Sequence, residues 1–214
     1  MLLACLGLGC TLRGDGERTL EVRELPVFVV LEVFDNFVTT VVVDPTLRAE
    51  DPVELAVSAD SNALRRIFTE LHGEATLSIS VDPNRLTRLS LTPAVEVTVP
   101  ALRRAYAADT AVLEVVDAQG ELALEVRESA TLALTGGQGV TLTAAAHERA
   151  TLVLVGEGPT LTVEVYDAAT VDAHEFRAAE VIVYARGEGD IRVCATKKIT
   201  IRGVGAEFVT LDCG

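Results

Sequence analysis

The carboxyl-terminal half of the chain repeats one pattern every 18 to 20 residues. An apolar pair recurs at Leu132 and Leu134, Leu152 and Leu154, Val171 and Ala173, Ile191 and Val193, and Val209 and Leu211, so successive first members stand 20, 19, 20 and 18 residues apart. A second series runs ahead of it in step: Leu122, Leu124 and Val126; Leu142, Ala144 and Ala146; Leu161, Val163 and Val165; Val181, Val183 and Ala185; Ile199, Ile201 and Gly203. Alternate residues are apolar within each series, which is the period of a half-buried strand, and no stretch of the repeats holds a 3.6-residue period. Two short strands cannot bury their apolar rows alone, so the fixed period implies units stacked on one another. The expected fold is all-β, a parallel β-helix-like solenoid with rungs of about 19-20 residues. Small residues (Ala130, Ala150, Ala169, Gly189) mark one corner of each unit, and glycines (Gly136, Gly137, Gly139; Gly156, Gly158) mark the other, where sharp turns are needed. The six-residue beat of a left-handed hexapeptide helix is missing, and right-handed coils are expected.

Ahead of the repeats the pattern stays strand-like through Val27, Val29, Leu31 and Val33, then Thr39, Val41 and Val43, then Val53, Leu55 and Val57. One short helix is expected over residues 62–72, with Leu64, Ile67, Phe68 and Leu71 on one face, Asp60 or Ser61 as its cap and Gly73 at its end. Such a helix would plug the end of the solenoid, where open coils expose backbone and apolar rows. Strands follow at Ala75 to Val81 and Val95 to Val99, and a first degenerate coil ends in Leu113 and Val115, 19 residues before Leu132 and Leu134. Residues 17–214 read as one domain, with amino-terminal strands and cap over 17–99 and regular coils over 100–214.

Residues 1–16 read as the remnant of a lipoprotein-type export leader. The run is apolar up to Cys10 and abruptly polar after it, which makes Cys10 the candidate for lipid modification. Cys5 is the alternative, because Leu2, Leu3 and Ala4 before it match the bacterial lipobox more closely. No other stretch approaches the roughly 18 apolar residues of a membrane span. A net charge of −14 argues against nucleic acid or anionic lipid as a partner, since a phosphate binder needs a cationic field. Aromatic residues make up only 4% and Trp is absent, which fits a thin core of Val, Leu and Ala.

Residues at equal phase in successive coils form surface columns. One such column would set His174, Cys194 and Asp212 in consecutive coils, the residue types of a thiol nucleophile or a metal site. A flat sheet face offers neither the electropositive cleft nor the oxyanion pocket that a thiolate site needs, and no cofactor is expected. Cys194 and Cys213 invite a disulfide in an exported protein; strand parity, which points Cys194 outward and Cys213 inward, opposes it unless the terminus bends. Asp172 beside Arg192 reads as a cross-strand ion pair. Thr131, Thr151, Thr170 and Asp190 make a regular outward ladder, which β propensity alone explains or which serves as a hydroxyl-rich contact strip. Tyr184, with Glu164 and Arg202 in its column, is the candidate contact patch for a glycan or an envelope protein. The enzyme alternative is a polysaccharide lyase or hydrolase drawing on carboxylates such as Asp167, Asp172, Glu175 and Asp190.

The order of these pieces resembles the auto-transporter adhesin head family, the GIN domain of bacterial envelope proteins, over about Leu12 to Gly214. The residues that carry the resemblance are the leader running into LRGDG, the stretch LEVFDNFVTTVVV, the stretch VELAVSADSNALRRIFTELHGEATLSISV, VEVTVPAL, and the Gly-x-Gly-Asp-Ile repeat at Gly187 to Ile191. Other units read ESATL, ERATL and DAATV, so their corner glycines are replaced. The resemblance implies a pectin-lyase-like β-helix, a role in adhesion and no established catalytic residues. A signalling module of the envelope is a further alternative.

Overall fold

Alternating apolar rows close on themselves when successive strands turn corners and stack on the coil below. The computed structural model describes residues 12–73, 75–82 and 87–213, and over them the chain is an all-β parallel solenoid. One face stacks Val30–Val33, Arg104–Ala107, Glu121–Val126 and Thr141–Ala146, then the second halves of the long strands Thr151–Asp167, Thr170–Gly187 and Ile191–Arg202. The second face stacks Val38–Val43, Val112–Val116, Thr131–Gln138, the first halves of the same three long strands, and Val209–Leu211. Leu132, Leu152, Val171 and Ile191 stand one above another in register, and all four are buried. Three long strands run round the second corner unbroken; in Thr151–Asp167, Gly156 and Gly158 let the backbone close up on the coil before it, and a Cβ on Gly158 would strike the Val140 carbonyl oxygen.

The first corner repeats in fine detail. Its small residues, Ala111, Ala130, Ala150, Ala169 and Gly189, are buried under the turn. Two positions before each of the first four, Asp109, Glu128, Glu148 and Asp167 adopt φ between 55° and 63°, and Asp35 does the same one coil earlier. The backbone bonds Thr110 N–H to Asp35, Ser129 N–H to Asp109, Arg149 N–H to Glu128 and Ala168 N–H to Glu148 tie each corner to the one before it.

At the amino-terminal end the expected helix over 62–72 is replaced by a single 3-10 turn, Leu64–Arg66, and the strand Ile67–His72. This strand pairs antiparallel with Thr76–Val81 through a turn at Gly73, whose φ is 60°. Ile67, Phe68 and Thr69 favour a strand, and the open edge of Thr76–Val81 offers six residues of ladder where an isolated helix of about three turns is marginal. Asp60, expected as a helix cap, is buried and accepts the N–H groups of Gly16 (2.7 Å), Ser90 (3.0 Å) and Leu91 (3.1 Å). That clamp holds the segment entering from Leu12–Arg13, which itself pairs with Thr87–Arg88.

The second face ends in antiparallel order, Ala94–Val99 with Val53–Asp60 and then Arg18–Leu25. Glu21 and Arg23 stand opposite the buried Val57 and Leu55, so the last inward positions are charged. The Arg23 guanidinium donates to the carbonyls of Leu64 (3.1 Å) and Ile67 (2.9 Å), to Thr69 Oγ1 (3.1 Å) and to Glu21 (2.7 Å). It bridges the two faces and closes the end with a polar lid, the role assigned from sequence to a helix.

The carboxyl-terminal end overturns the parity reading of the cysteines. Ala173 pairs with Val193, but the next partner of Cys194 is Arg177, so residues 174–176 bulge from the ladder. The bulge brings Phe176 into the core on one strand, and on the next strand Val193 and Cys194 are buried in succession, so strict alternation fails at this corner. Cys194 forms a disulfide with Cys213 across a Cα separation of 4.8 Å. His174, Cys194 and Asp212 therefore do not form an exposed column; the thiol is consumed in the bridge.

Candidate functional site

All three tyrosines of the chain point outward from the first face. Glu32, Tyr106, Glu125, Ala145, Glu164, Tyr184 and Arg202 follow one another in register, one per coil. Two residues further along each strand lie Arg127, His147, Tyr166 and Arg186. Both columns stand outside the inward triplets that build the core, so the same alternation that makes the solenoid also lines up the strip.

The rings and guanidiniums stack on one another along the solenoid. His147 and Tyr166 lie parallel within 6°, with centroids 4.3 Å apart, and Arg186 sits 5.3 Å over the Tyr166 ring. The Tyr166 hydroxyl donates to Glu164 at 2.7 Å, and Arg186 reaches the same carboxylate at 3.9 Å. Arg202 sits 5.8 Å over Tyr184. Lower down, Glu125 accepts from Arg104 and Arg127, each at 2.7 Å, and Tyr106 meets Phe34 at 5.6 Å. Each tyrosine named with an arginine receives it from the following coil, a contact driven by the ring quadrupole.

These contacts set the protonation of the strip. Partial burial acts to raise the Glu125 carboxyl, but the hydrogen bonds from Arg127 and Arg104 outweigh it and hold the group below its ordinary value. The bond to Glu164 pushes the Tyr166 phenol up, and burial does the same to Tyr106. Burial, then the neighbouring Arg127, pushes His147 down, so its imidazole is neutral against the Tyr166 ring. The strip presents hydroxyls, guanidiniums and ionised carboxylates at fixed spacing, with ring faces partly covered by their own neighbours. It is suited to hydrogen bonding with a polar, hydroxyl-rich surface.

The structure brings Glu164, Tyr184 and Arg202 together as the sequence spacing implies. Tyr166, Arg186 and His147 were not read as part of that patch, although the signal was present: a bulky polar residue directly after the inward triplet of successive units. Thr131, Thr151 and Thr170 do stack on the second face. His174 Nδ1 lies 2.5 Å from Asp172 Oδ1, and that bond, followed by the charges of Asp172, Glu175 and Asp212, raises its pKa. The corner acids form a further column, in which Asp109 raises the Glu128 carboxyl through a hydrogen bond and its charge. A shallow groove of about 840 Å³ flanks the first face, lined by Ala101, Arg103, Gln119, Glu121, Ala123 and Thr143 among others. Among the described residues no group of three or more His, Cys, Asp or Glu is arranged to hold a metal ion, and no helix is long and apolar enough to cross a membrane. Cys10 and Cys5 lie outside the described residues.

Solved structures share this architecture. A putative adhesin from Bacteroides fragilis NCTC 9343 superposes with a TM-score of 0.71 at 14% identity, covering 94% of this chain and 99% of that one. A putative lipid binding protein from Parabacteroides distasonis ATCC 8503 gives 0.65 at 11% identity, covering 95% and 99%. A putative adhesin from Parabacteroides merdae ATCC 43184 gives 0.62 at 10%, covering 94% and 98%. At these identities the likeness is one of fold. No curated protein sequence matches the chain. The family model described as "Putative auto-transporter adhesin, head GIN domain" matches residues 32–209, and the chain belongs to that family.

Proposed function

We propose that this protein is an exported, non-catalytic recognition module that binds a glycan along the outward strip of its first face, centred on Glu164, Tyr184 and Arg202. The observation that carries the reading is the placement of every tyrosine in the chain on that one face, in register with arginines and carboxylates. Aromatic and arginine side chains held rigidly by neighbours lose little freedom on binding, which is why such residues dominate contact surfaces. The disulfide between Cys194 and Cys213 supports export, because such bonds persist in oxidising compartments. The family description supports a surface role, and the apolar run ending at Cys10 supports a lipid anchor there.

The test is a glycan array probed with the whole protein and with Tyr184→Ala and Arg202→Ala, alongside polysaccharide-degradation assays. Selective glycan binding that weakens at least about tenfold in both variants, without degradation, is the expected result. Binding that ignores both substitutions, or release of shortened polysaccharide, would overturn it. Labelling with an alkyne fatty acid, lost in Cys10→Ser and kept in Cys5→Ser, tests the anchor.

A further inference from the structure

The last coil leaves one strand edge open. Ile191–Arg202 pairs along its length with Thr170–Gly187 on one side, whereas on the other Val209–Leu211 pairs only Ile191, Arg192 and Val193. Among the described residues, the edge over 195–202 has no strand partner. Unpaired N–H and C=O groups along a strand are a template for another chain.

The side chains on that edge specify what could add to it. Ile199 and Ile201 continue the inward rows of Val181 and Val183, but no coil covers them; Ile199 is half-buried and Ile201 exposed. Just beyond the strand, Val204 is 82% exposed and Phe208 38%. On the outward side Lys198, Thr200 and Arg202 alternate with the isoleucines, and Lys197 adjoins them. Lys197 and Lys198 are the only lysines in a chain of net charge −14. Neither they nor Arg202 makes a salt bridge among the described residues. A cationic, apolar-backed edge has been left on an acidic protein.

We propose that this edge receives, by strand addition, an acidic extended segment of a partner protein with the pattern acid, apolar, small or polar, apolar, acid. Lys198 and Arg202 stand four residues apart, so acids at the first and fifth positions meet them, and apolar residues at the second and fourth extend the rows of Ile199 and Ile201. The chain holds an internal precedent: Glu121, Leu122, Ala123, Leu124 and Glu125 fill the same columns in an inner coil. A second copy joined edge to edge would set Lys198 opposite Arg202 about a two-fold axis, like charges face to face.

The experiment measures fluorescence anisotropy of a labelled peptide with the sequence of residues 120–126 against the whole protein. A scrambled peptide and a peptide with both acids changed to lysine serve as controls. The acidic peptide is expected to bind, to bind roughly tenfold more weakly to Lys198→Glu, and to slow amide exchange over 196–202. The lysine peptide is expected to gain affinity for Lys198→Glu, a rescue that misfolding could not produce. Equal binding of the scrambled peptide, or absence of the rescue, would overturn the proposal. So would self-association of a Lys197→Ser, Lys198→Ser variant that binds no peptide, since the lysines would then serve to keep copies apart. Glycan binding by the Tyr184 strip is scored separately, and neither result decides the other.

Discussion

Glu128 stands one coil beyond Asp109 in the corner column, both at φ near 60°. The neighbouring Asp109 carboxyl raises the Glu128 pKa, by hydrogen bonding to its protonated form and by its charge, with Glu148 adding to the effect. A group whose folded value is raised contributes stability below its unfolded pKa and loses it as pH rises through the folded one. At neutral pH the column therefore carries repulsion and a left-handed backbone that glutamate tolerates poorly. Glu128→Asn, which suits that conformation and has no charge, is expected to raise the melting temperature by roughly 1 to 3 °C at pH 7, and by less at pH 4. Thermal unfolding followed by circular dichroism at both pH values checks it.

The bridge between Cys194 and Cys213 closes a loop of 19 residues around the last coil. Chain entropy assigns such a loop about 3 kcal/mol. Cys213→Ser is expected to lower the denaturant midpoint accordingly and to speed amide exchange over Val209–Leu211. Reductant should shift the parent protein to the same midpoint and leave the variant unmoved; a parent insensitive to reductant would refute this.

Arg23 joins both faces of the amino-terminal end through two backbone carbonyls, a hydroxyl and a carboxylate. Arg23→Met keeps much of the stem but strands the Leu64 and Ile67 carbonyls, at a cost of about 2 to 4 kcal/mol. Arg23→Lys should recover only part of the loss, since one ammonium cannot reproduce a planar fork. Urea unfolding of the three proteins, with exchange rates over Ile67–His72, separates these outcomes.

Two histidines should titrate in opposite senses. The bond to Asp172, then the charges of Asp172, Glu175 and Asp212, raises His174; burial, then Arg127, lowers His147. His174 contributes stability below its unfolded value of about 6.5, lost as pH climbs through the folded value. His147, being lowered, contributes above about 6.5 and loses that contribution as pH falls through its folded value. Imidazole resonances in an NMR titration should straddle that reference. His174→Gln should flatten the alkaline side of the stability profile and leave the acid side in place.

The coils were legible because burial follows a strict period there: Leu132, Leu152, Val171 and Ile191 announce their stacking by spacing alone. The same arithmetic failed wherever the ladder was interrupted. Nothing in the residue types of His174, Glu175 and Phe176 marks a three-residue bulge, and nothing in those of Val193 and Cys194 shows that both are buried at that corner, where Cys194 meets Cys213. Leu64, Ile67, Phe68 and Leu71 fit a helical face as well as a strand, and only the tertiary offer of an open edge at Thr76–Val81 decides between them. The contact strip was half legible. Glu164, Tyr184 and Arg202 share a phase that counting finds, whereas the pile of His147, Tyr166 and Arg186 depends on rotamers that counting cannot reach. The units of Glu128, Glu148 and Asp167 show replaced corner glycines in the sequence, but the left-handed backbone they share with Asp109 shows only in the coordinates.

The corner that joins the two faces recurs at intervals of 19 or 20 residues with the same small buried residue and the same backbone tie to its predecessor. Height along this rod is therefore a matter of copy number: duplicating one such unit would lift one end about 4.8 Å farther from the other while asking no new fit of any neighbour. A lineage carrying this architecture can tune how far its outermost residues stand from their base in equal steps, by unequal crossing-over within the gene alone.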